Sequence, residues 1–114
     1  MTPKADRHRP PSDRTLRFFL KSIARIRPVI QRMILFGSRA HGTALPDSDY
    51  DILLIVPVKT DELLDTLYEA VIETLLTSGR LVSLKIFTES EYDRLKKLST
   101  PFMQRIEAEG VLVG

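Results

Sequence analysis

Helical spacing of apolar positions and helix-capping residues predict a series of helices along the chain. Over residues 13–26 the apolar side chains fall three or four positions apart, which puts them on one helical face. Further helices are predicted over residues 61–78, 88–98 and 101–109. The residues able to cap their starts are Ser12 or Asp13, Thr60, Thr88 and Thr100. Proline or glycine then ends the first, second and last helix, at Pro28, Gly79 and Gly110.

Apolar runs between these helices predict strands. Residues 32–36 and 50–56 are almost continuously apolar, as strands covered on both faces are. Residues 81–87 alternate between apolar and polar, which gives that strand one core face and one polar face. The run 111–113 adds an edge strand. Because strands and helices interleave along the chain, the predicted fold class is α/β (α+β), a small mixed β-sheet with helices packed on it.

Length and composition bound the possible functions. The chain has 114 residues, enough for one hydrophobic core. Residues 1–12 are polar and proline-rich and predict a flexible leader, so one folded domain is expected over residues 13–114. There is no cysteine, which excludes disulfides and thiolate metal sites. Neither a signal peptide nor an apolar run of roughly 20 residues is evident, so we expect a cytoplasmic protein with no membrane partner.

The overall charge does not single out a partner. The chain carries 17 basic and 15 acidic residues, a formal net charge of +2 at pH 7. Nucleic acid is not the expected partner, because the basic residues are not interleaved with aromatic ones in a recognised RNA-binding motif. A nucleotide-sensing or RNA-associated accessory domain would rest on this positive charge alone.

The strongest candidate for a functional site is the stretch LFGSRAHGTALPDSDYDILLIV, residues 35–56. Gly37 directly follows a predicted strand, and its missing Cβ lets the backbone turn and lets an anion approach the next amide groups. Ser38 adds a hydroxyl at the same place. This pair suits phosphate oxygens, and its alternative interpretation is an ordinary turn that ends a strand.

Two aspartates enter the second apolar run of this stretch. Residues two apart in a strand point to the same side, so Asp49 and Asp51 put two carboxylates next to each other. The two charges repel unless a hard cation such as Mg²⁺ shares their oxygens. The alternative is a polar turn that runs into a strand, and this describes Asp47. It does not describe Asp51, because core residues flank it on both sides.

Together these residues resemble the motif of the DNA polymerase beta-type nucleotidyltransferases. The similarity is greatest to the minimal nucleotidyltransferases, a small prokaryotic group commonly encoded beside a HEPN-domain protein as toxin–antitoxin pairs. The later segments LVSLKIFTESEY and TPFMQRIEAEGVLV are also similar, so the resemblance covers about residues 16–113. The resemblance implies the polymerase beta-like nucleotidyltransferase fold. It also leads us to expect that this chain is the antitoxin of such a pair.

The resemblance implies a role for each residue of the motif. Gly37 and Ser38 would hold the β- and γ-phosphates of ATP or another nucleoside triphosphate (NTP). Asp49 and Asp51 would bind one or two Mg²⁺ ions and carry the catalysis of nucleotidyl transfer. Arg39 either pairs with phosphate or pairs with a nearby carboxylate.

One departure from the family concerns its third carboxylate, which lies on the strand after the long helix. The polar face of residues 81–87 offers only Ser83 and Lys85 there. Ser83 is the expected equivalent position, although a serine binds Mg²⁺ weakly and is a poor base. Lys85 has three open roles: it contacts phosphate, fills the place of a metal with its own charge, or faces solvent. His41 replaces a family arginine and receives no catalytic role.

The predicted function is Mg²⁺-dependent transfer of an NMP, AMP by preference, from an NTP to a hydroxyl of a protein partner. The expected partner is a HEPN-domain toxin, which the modification silences. The alternative is a catalytically weak or inactive domain that neutralises the same partner by contact alone. A single small domain has no room for a separate acceptor-binding domain, so the acceptor brings its own structure.

Overall fold

The computed structural model describes residues 13–45 and 47–114, over which helices and strands interleave. The predicted leader, residues 1–12, lies outside the described residues. The helices are α1 (Arg14–Ser22), α2 (Ser38–His41), α3 (Asp61–Ser78), α4 (Glu89–Lys96) and α5 (Pro101–Glu109). The strands are β1 (Arg32–Phe36), β2 (Tyr50–Val56), β3 (Val82–Thr88) and β4 (Val111–Leu112). The predicted α/β class is therefore confirmed.

The four strands form one mixed sheet in the order β3-β2-β1-β4. β1 is antiparallel to both β2 and β4, whereas β2 and β3 are parallel. A parallel pair requires a crossover, and α3 supplies it. The register sets Phe36 of β1 beside Asp51 of β2, and Asp51 beside Ser83 of β3. The two central strands therefore carry the motif residues to one end of the sheet.

Helices cover both faces of this sheet, and each face has its own apolar cluster. On the α1–α3 face, alternate residues of β2 pack against Leu16 and Phe19 of α1 and Leu67 of α3. On the α4–α5 face, the intervening residues of β2 pack against side chains of α4 and α5. The buried members of the second cluster are Ile34, Phe36, Leu53, Ile55, Tyr92, Met103 and Ile106. No helix among the described residues is long and apolar enough to cross a membrane.

The predicted caps are present, while several predicted boundaries are wrong by a few residues. Thr60, Thr88 and Thr100 each accept a hydrogen bond from the backbone three residues on, as predicted. The helix predicted over 13–26 ends at Ser22, because the chain leaves helical geometry at Ile23. A 3-10 turn over Arg27–Val29 follows and contains Pro28. The tighter turns keep a three-residue spacing, so the apolar pattern continues although the α-helix does not.

Smaller corrections apply to the later elements. The helix predicted to reach residue 98 ends at Lys96. The strand predicted over residues 81–87 begins and ends one residue later, and the edge strand is shorter than 111–113. Such shifts are within the usual uncertainty of element ends. A larger miss is α2, a single helical turn in the segment that the sequence indicated as loop.

Candidate active site

Gly37 ends β1 with a backbone conformation that only glycine adopts readily. Its φ of 75° and ψ of −159° lie in a region that side chains with a Cβ avoid. A Cβ built on Gly37 would lie 2.5 Å from Oδ2 of Asp51. Glycine is therefore required here for two reasons. Its backbone makes the turn into α2, and the carboxylate of Asp51 occupies the space where a Cβ would lie. The sequence predicted the turn but not this contact.

Asp51 is half-buried at the start of β2, on the α4–α5 face. Burial raises the pKa of its carboxyl group, and the nearby charge of Asp49 raises it further. The positive charges of Lys85 and Arg105 act in the opposite direction. The carboxylate form is thus disfavoured by its surroundings, and a bound cation would compensate for both causes. Asp49 itself is exposed just before the strand.

Ser83 and Lys85 extend the polar end of this face onto β3. Ser83 is the register partner of Asp51. Lys85 is the register partner of Leu53, which lies on the same face of β2 as Asp51. The Lys85 ammonium donates to the Ser83 hydroxyl over 3.4 Å. Among the described residues no group of three histidine, cysteine, aspartate or glutamate side chains is arranged to hold a metal. A hard cation bound by Asp49 and Asp51 would take its other ligands from phosphate or water.

Arg39 clamps the loop that leads into the aspartates. Its Nε and Nη2 atoms donate to the Ser48 carbonyl oxygen at 3.2 and 2.9 Å. Its guanidinium lies 4.2 Å from the centroid of the Tyr50 ring, a cation–π contact. The sequence offered phosphate or a carboxylate as partner, and the described contacts add this third role. Nucleotide binding by Arg39 stays a prediction.

Tyr50 fixes the start of β2 from the opposite face of the sheet. Its hydroxyl donates to Oδ2 of Asp13 over 2.6 Å, while Oδ1 of Asp13 accepts from the Leu16 amide at the start of α1. Burial tends to raise the pKa of Asp13, but these hydrogen bonds, together with one from the Thr15 backbone and the positive charge of Arg39, lower it overall. Sequence reasoning found Asp13 only as a helix cap and found no role for Tyr50. The only sequence signal for Tyr50 was its place between Asp49 and Asp51. Because side chains alternate along a strand, Tyr50 points to the face opposite Asp51.

α5 closes the site on its remaining side. Phe102 contacts Phe36 edge-to-face, with ring centroids 5.6 Å apart. One turn later Arg105 is close enough to influence Asp51, and after another turn Glu109 lies 3.9 Å from His41 of α2. His41 thus has a neighbouring carboxylate, which pairs with it when the imidazole is protonated. Arg105 was missed, because no motif links it to residues 35–56.

The four-stranded mixed sheet, with a glycine turn and two aspartates at one end, defines an α/β domain whose family can be compared with known ones. The model of the nucleotidyltransferase domain family matches residues 16–109, and the chain belongs to that family. The predicted superfamily is therefore confirmed, and the family supports transferase activity as a class. No curated protein sequence matches the chain significantly.

Several solved structures that share this fold are of toxin–antitoxin proteins. A toxin–antitoxin complex with AMP-PNP has 21% sequence identity and a TM-score of 0.53, covering 84% of this chain and 69% of that chain. A mutant of the toxin–antitoxin MntA-HpeT has 23% identity and a TM-score of 0.53, covering 83% and 68%. A second mutant has 19% identity and a TM-score of 0.50, covering 82% and 67%. At these identities the likeness establishes the fold.

Proposed function

We propose that this chain transfers an NMP, by preference AMP, from an NTP to a hydroxyl of a protein partner and thereby silences a HEPN-domain toxin. The observation that carries the proposal is the close approach of the Asp51 carboxylate to Gly37, which sets a carboxylate beside the glycine–serine turn. Family membership and the likeness to a toxin–antitoxin complex with AMP-PNP support it. The reaction takes place in the cytoplasm.

Each residue at the sheet end has a task in this proposal. Gly37 and Ser38 bind the β- and γ-phosphates through the backbone amides at the start of α2 and the Ser38 hydroxyl, which the sharp glycine turn presents at this end of the sheet. Asp49 and Asp51 hold one or two Mg²⁺ ions, and their mutual repulsion with the raised pKa of Asp51 favours a site that binds a cation. When bound, Mg²⁺ neutralises phosphate charge and lowers the pKa of the attacking hydroxyl.

Two cations complete the charge balance. Lys85 on β3 and Arg105 on α5 both act on Asp51. With the NTP present they lie where they can attract phosphate oxygens, and Arg105 presents a planar group that pairs with two of them. The acceptor hydroxyl then loses its proton to solvent as its oxygen forms a bond to the α-phosphorus, the bond from that phosphorus to the bridging oxygen of the β-phosphate breaks, and pyrophosphate leaves.

A second candidate function is neutralisation of the partner by contact alone. The observation that favours it is Ser83, which stands beside Asp51 in the register. If that is the family's third carboxylate position, a serine leaves the acceptor hydroxyl without a base or a strong metal ligand. General-base and metal assistance are worth about 10²–10⁴-fold in rate, so slow transfer or none is expected.

Nucleotide binding is tested by calorimetric titration of ATP with and without Mg²⁺. The double variant Asp49→Asn/Asp51→Asn should lose Mg²⁺-dependent binding by at least about 100-fold, because it removes both charged metal ligands. Asp47→Asn is the matched control, since Asp47 is exposed in the preceding turn. Equal affinities of wild type and double variant would refute the site.

The two candidate functions are separated at Ser83. Transfer of label from α-labelled ATP to a HEPN-domain toxin that binds this chain is measured for wild type and for Ser83→Asp. A restored acid should raise the rate about tenfold or more, unless Lys85 neutralises it, so Lys85→Ala is made in both backgrounds. Faster labelling by wild type would mean that an acid elsewhere completes the site. No labelling by any variant, with the toxin still bound and silenced, would leave neutralisation by contact.

A further inference from the structure

One face of α3 exposes large apolar side chains to solvent. Four lie on α3 at a spacing of three or four residues or directly adjacent, and the fifth follows the helix end. With their exposed fractions they are Tyr68 (50%), Ile72 (55%), Leu75 (42%), Leu76 (75%) and Leu81 (40%). The opposite face of α3 is the buried one, with Leu63, Leu67 and Ala70 in the core. These five exposed residues, called the α3 stripe below, form an apolar surface of the kind that marks interaction sites.

Acidic residues border the α3 stripe. Every charged residue of α3 is acidic: Asp61, Glu62, Asp65, Glu69 and Glu73. Asp65, Glu69 and Glu73 lie four residues apart, so they form a line of exposed carboxylates along the edge of the stripe. An apolar stripe with an acidic edge is complementary to a helix that has an apolar face and basic flanks.

The α3 stripe reaches the end of the sheet that carries the candidate active site. Leu81 closes the stripe, and its carbonyl oxygen accepts the Tyr50 amide over 2.9 Å. Tyr50 lies between the two aspartates of the metal pair. A protein helix docked on the stripe would therefore have one end beside Asp49, where an acceptor hydroxyl has to arrive.

We propose that the α3 stripe docks a basic amphipathic helix of the protein partner. A second copy of this chain is disfavoured, because two such helices would bring their carboxylates together. The carboxylates also repel nucleic acid and anionic lipid surfaces. Residues 1–12 do not provide the missing face, since their only large aliphatic side chain is Met1 and prolines interrupt them. The identity of the docked partner as the transfer acceptor rests on the proposed function; the docking surface does not.

The test uses helical peptides about as long as α3, which has 18 residues. The probe has leucine at i, i+3, i+4 and i+7 and lysine elsewhere, and the controls are a scrambled peptide of the same composition and a version with glutamate for lysine. Binding is measured by fluorescence anisotropy, and the mass of the free chain by light scattering. We expect the basic amphipathic peptide to bind at least about tenfold more tightly than either control.

Variants of the chain locate the binding. Ile72→Gln/Leu76→Gln should weaken binding of the basic peptide at least about tenfold, and Glu69→Lys/Glu73→Lys should do the same through charge. Leu98→Gln is the matched control, because Leu98 is 54% exposed and lies after α4, away from the stripe. Unchanged binding in the first variant, equal binding of the scrambled peptide, or no binding at all would overturn the proposal. So would a dimer that Ile72→Gln/Leu76→Gln dissociates, since the occupant would then be a second copy.

Failure of this proposal is distinguishable from failure of the proposed function. Ile72→Gln/Leu76→Gln should bind Mg²⁺–ATP as wild type does, because neither side chain lies on the face of Asp51. Loss of peptide binding with retained nucleotide binding supports the docking surface. Absence of nucleotide binding in wild type, with peptide binding intact, would contradict the proposed function alone.

Discussion

The two faces of β2 begin with different residues at the same end of the strand. On the α1–α3 face Tyr50 is buried, with its hydroxyl bonded to Asp13 and its ring under Arg39. On the α4–α5 face Asp51 is half-buried and stands beside the polar Ser83. One face fixes the strand, and the other keeps a charge that a cation would stabilise. The α1–α3 face, called the packed face below, holds the strand in place. Asp51 on the α4–α5 face, called the binding face, therefore depends on the packed face for its position.

The largest expected effect comes from removing a buried side chain of the packed face. Phe19 of α1 is fully buried there, so Phe19→Ala should lower the free energy of unfolding by about 3–5 kcal/mol. Denaturant titration measures this loss. Phe18→Ala is the matched control, since Phe18 is only partly buried and its removal should cost about 1 kcal/mol or less. Similar losses in the two variants would mean that α1 does not hold the packed face as its burial suggests.

A substitution at Gly37 should affect both the free energy of unfolding and nucleotide binding. Gly37→Ala should cost about 2–3 kcal/mol and remove Mg²⁺–ATP binding, because the new methyl group is strained and displaces Asp51. Unfolding by denaturant and calorimetric titration measure the two consequences.

Gly42→Ala is the control for this substitution. Gly42 also has a positive φ, 84°, but a Cβ there would meet nothing within 4 Å. It should cost about 1 kcal/mol and leave nucleotide affinity unchanged. If Gly37→Ala kept full affinity, the contact with Asp51 would have no part in the site.

A smaller effect tests whether Tyr50 holds the start of β2. Tyr50→Phe keeps the ring under Arg39 but loses the hydrogen bond to Asp13, at a cost of about 1–2 kcal/mol at neutral pH. The folded pKa of Asp13 is lowered from 3.8, so the stability from its carboxylate is present above pH 3.8 and is lost as pH falls through the folded pKa. The difference between wild type and Tyr50→Phe should therefore shrink in acid. Tyr68→Phe, at an exposed tyrosine, should show no such pH dependence.

Local chemistry explains how much of the fold could be predicted from the sequence. Thr60 and Thr100 cap helices through contacts three residues away, and the alternation around Ser83 repeats every two residues. Such signals lie within a few positions of the residue that carries them. The end of α1 at Ser22 was mispredicted because a 3-10 turn continues the same apolar spacing. Periodicity predicts burial here better than it predicts the type of helix.

The candidate site was predicted from residues that are close in sequence and, for Ser83 and Lys85 on β3, from the family resemblance. The motif residues, from Gly37 to Asp51, lie within one connection between two strands. Arg105 acts on Asp51 through its charge because α5 packs across β1, through the contact of Phe102 with Phe36. That convergence depends on tertiary packing, which no local pattern encodes. The role of Asp13 was hidden for the same reason, since its partner is far away in the chain.

The smallest expected effect concerns the charge of Asp51 on the binding face. The folded pKa of Asp51 is raised above 3.8 by burial and by Asp49, so its favourable contribution to stability is present below pH 3.8 and is lost as pH rises through the folded pKa. Asp51→Asn, which stays neutral, should therefore be more stable than wild type at pH 7 without Mg²⁺. The gain should be below about 1 kcal/mol, because solvent screens the half-buried charge.

Thermal unfolding at several pH values, with and without Mg²⁺, measures this difference. The advantage of Asp51→Asn should fade as pH falls towards 3.8, where wild type also becomes protonated. Added Mg²⁺ should stabilise wild type but not the variant, since only wild type retains both carboxylates for the cation. Asp47→Asn should show neither response. A variant less stable than wild type at neutral pH without metal would mean that the Asp51 carboxylate is a structural group, satisfied by its neighbours rather than by a cation.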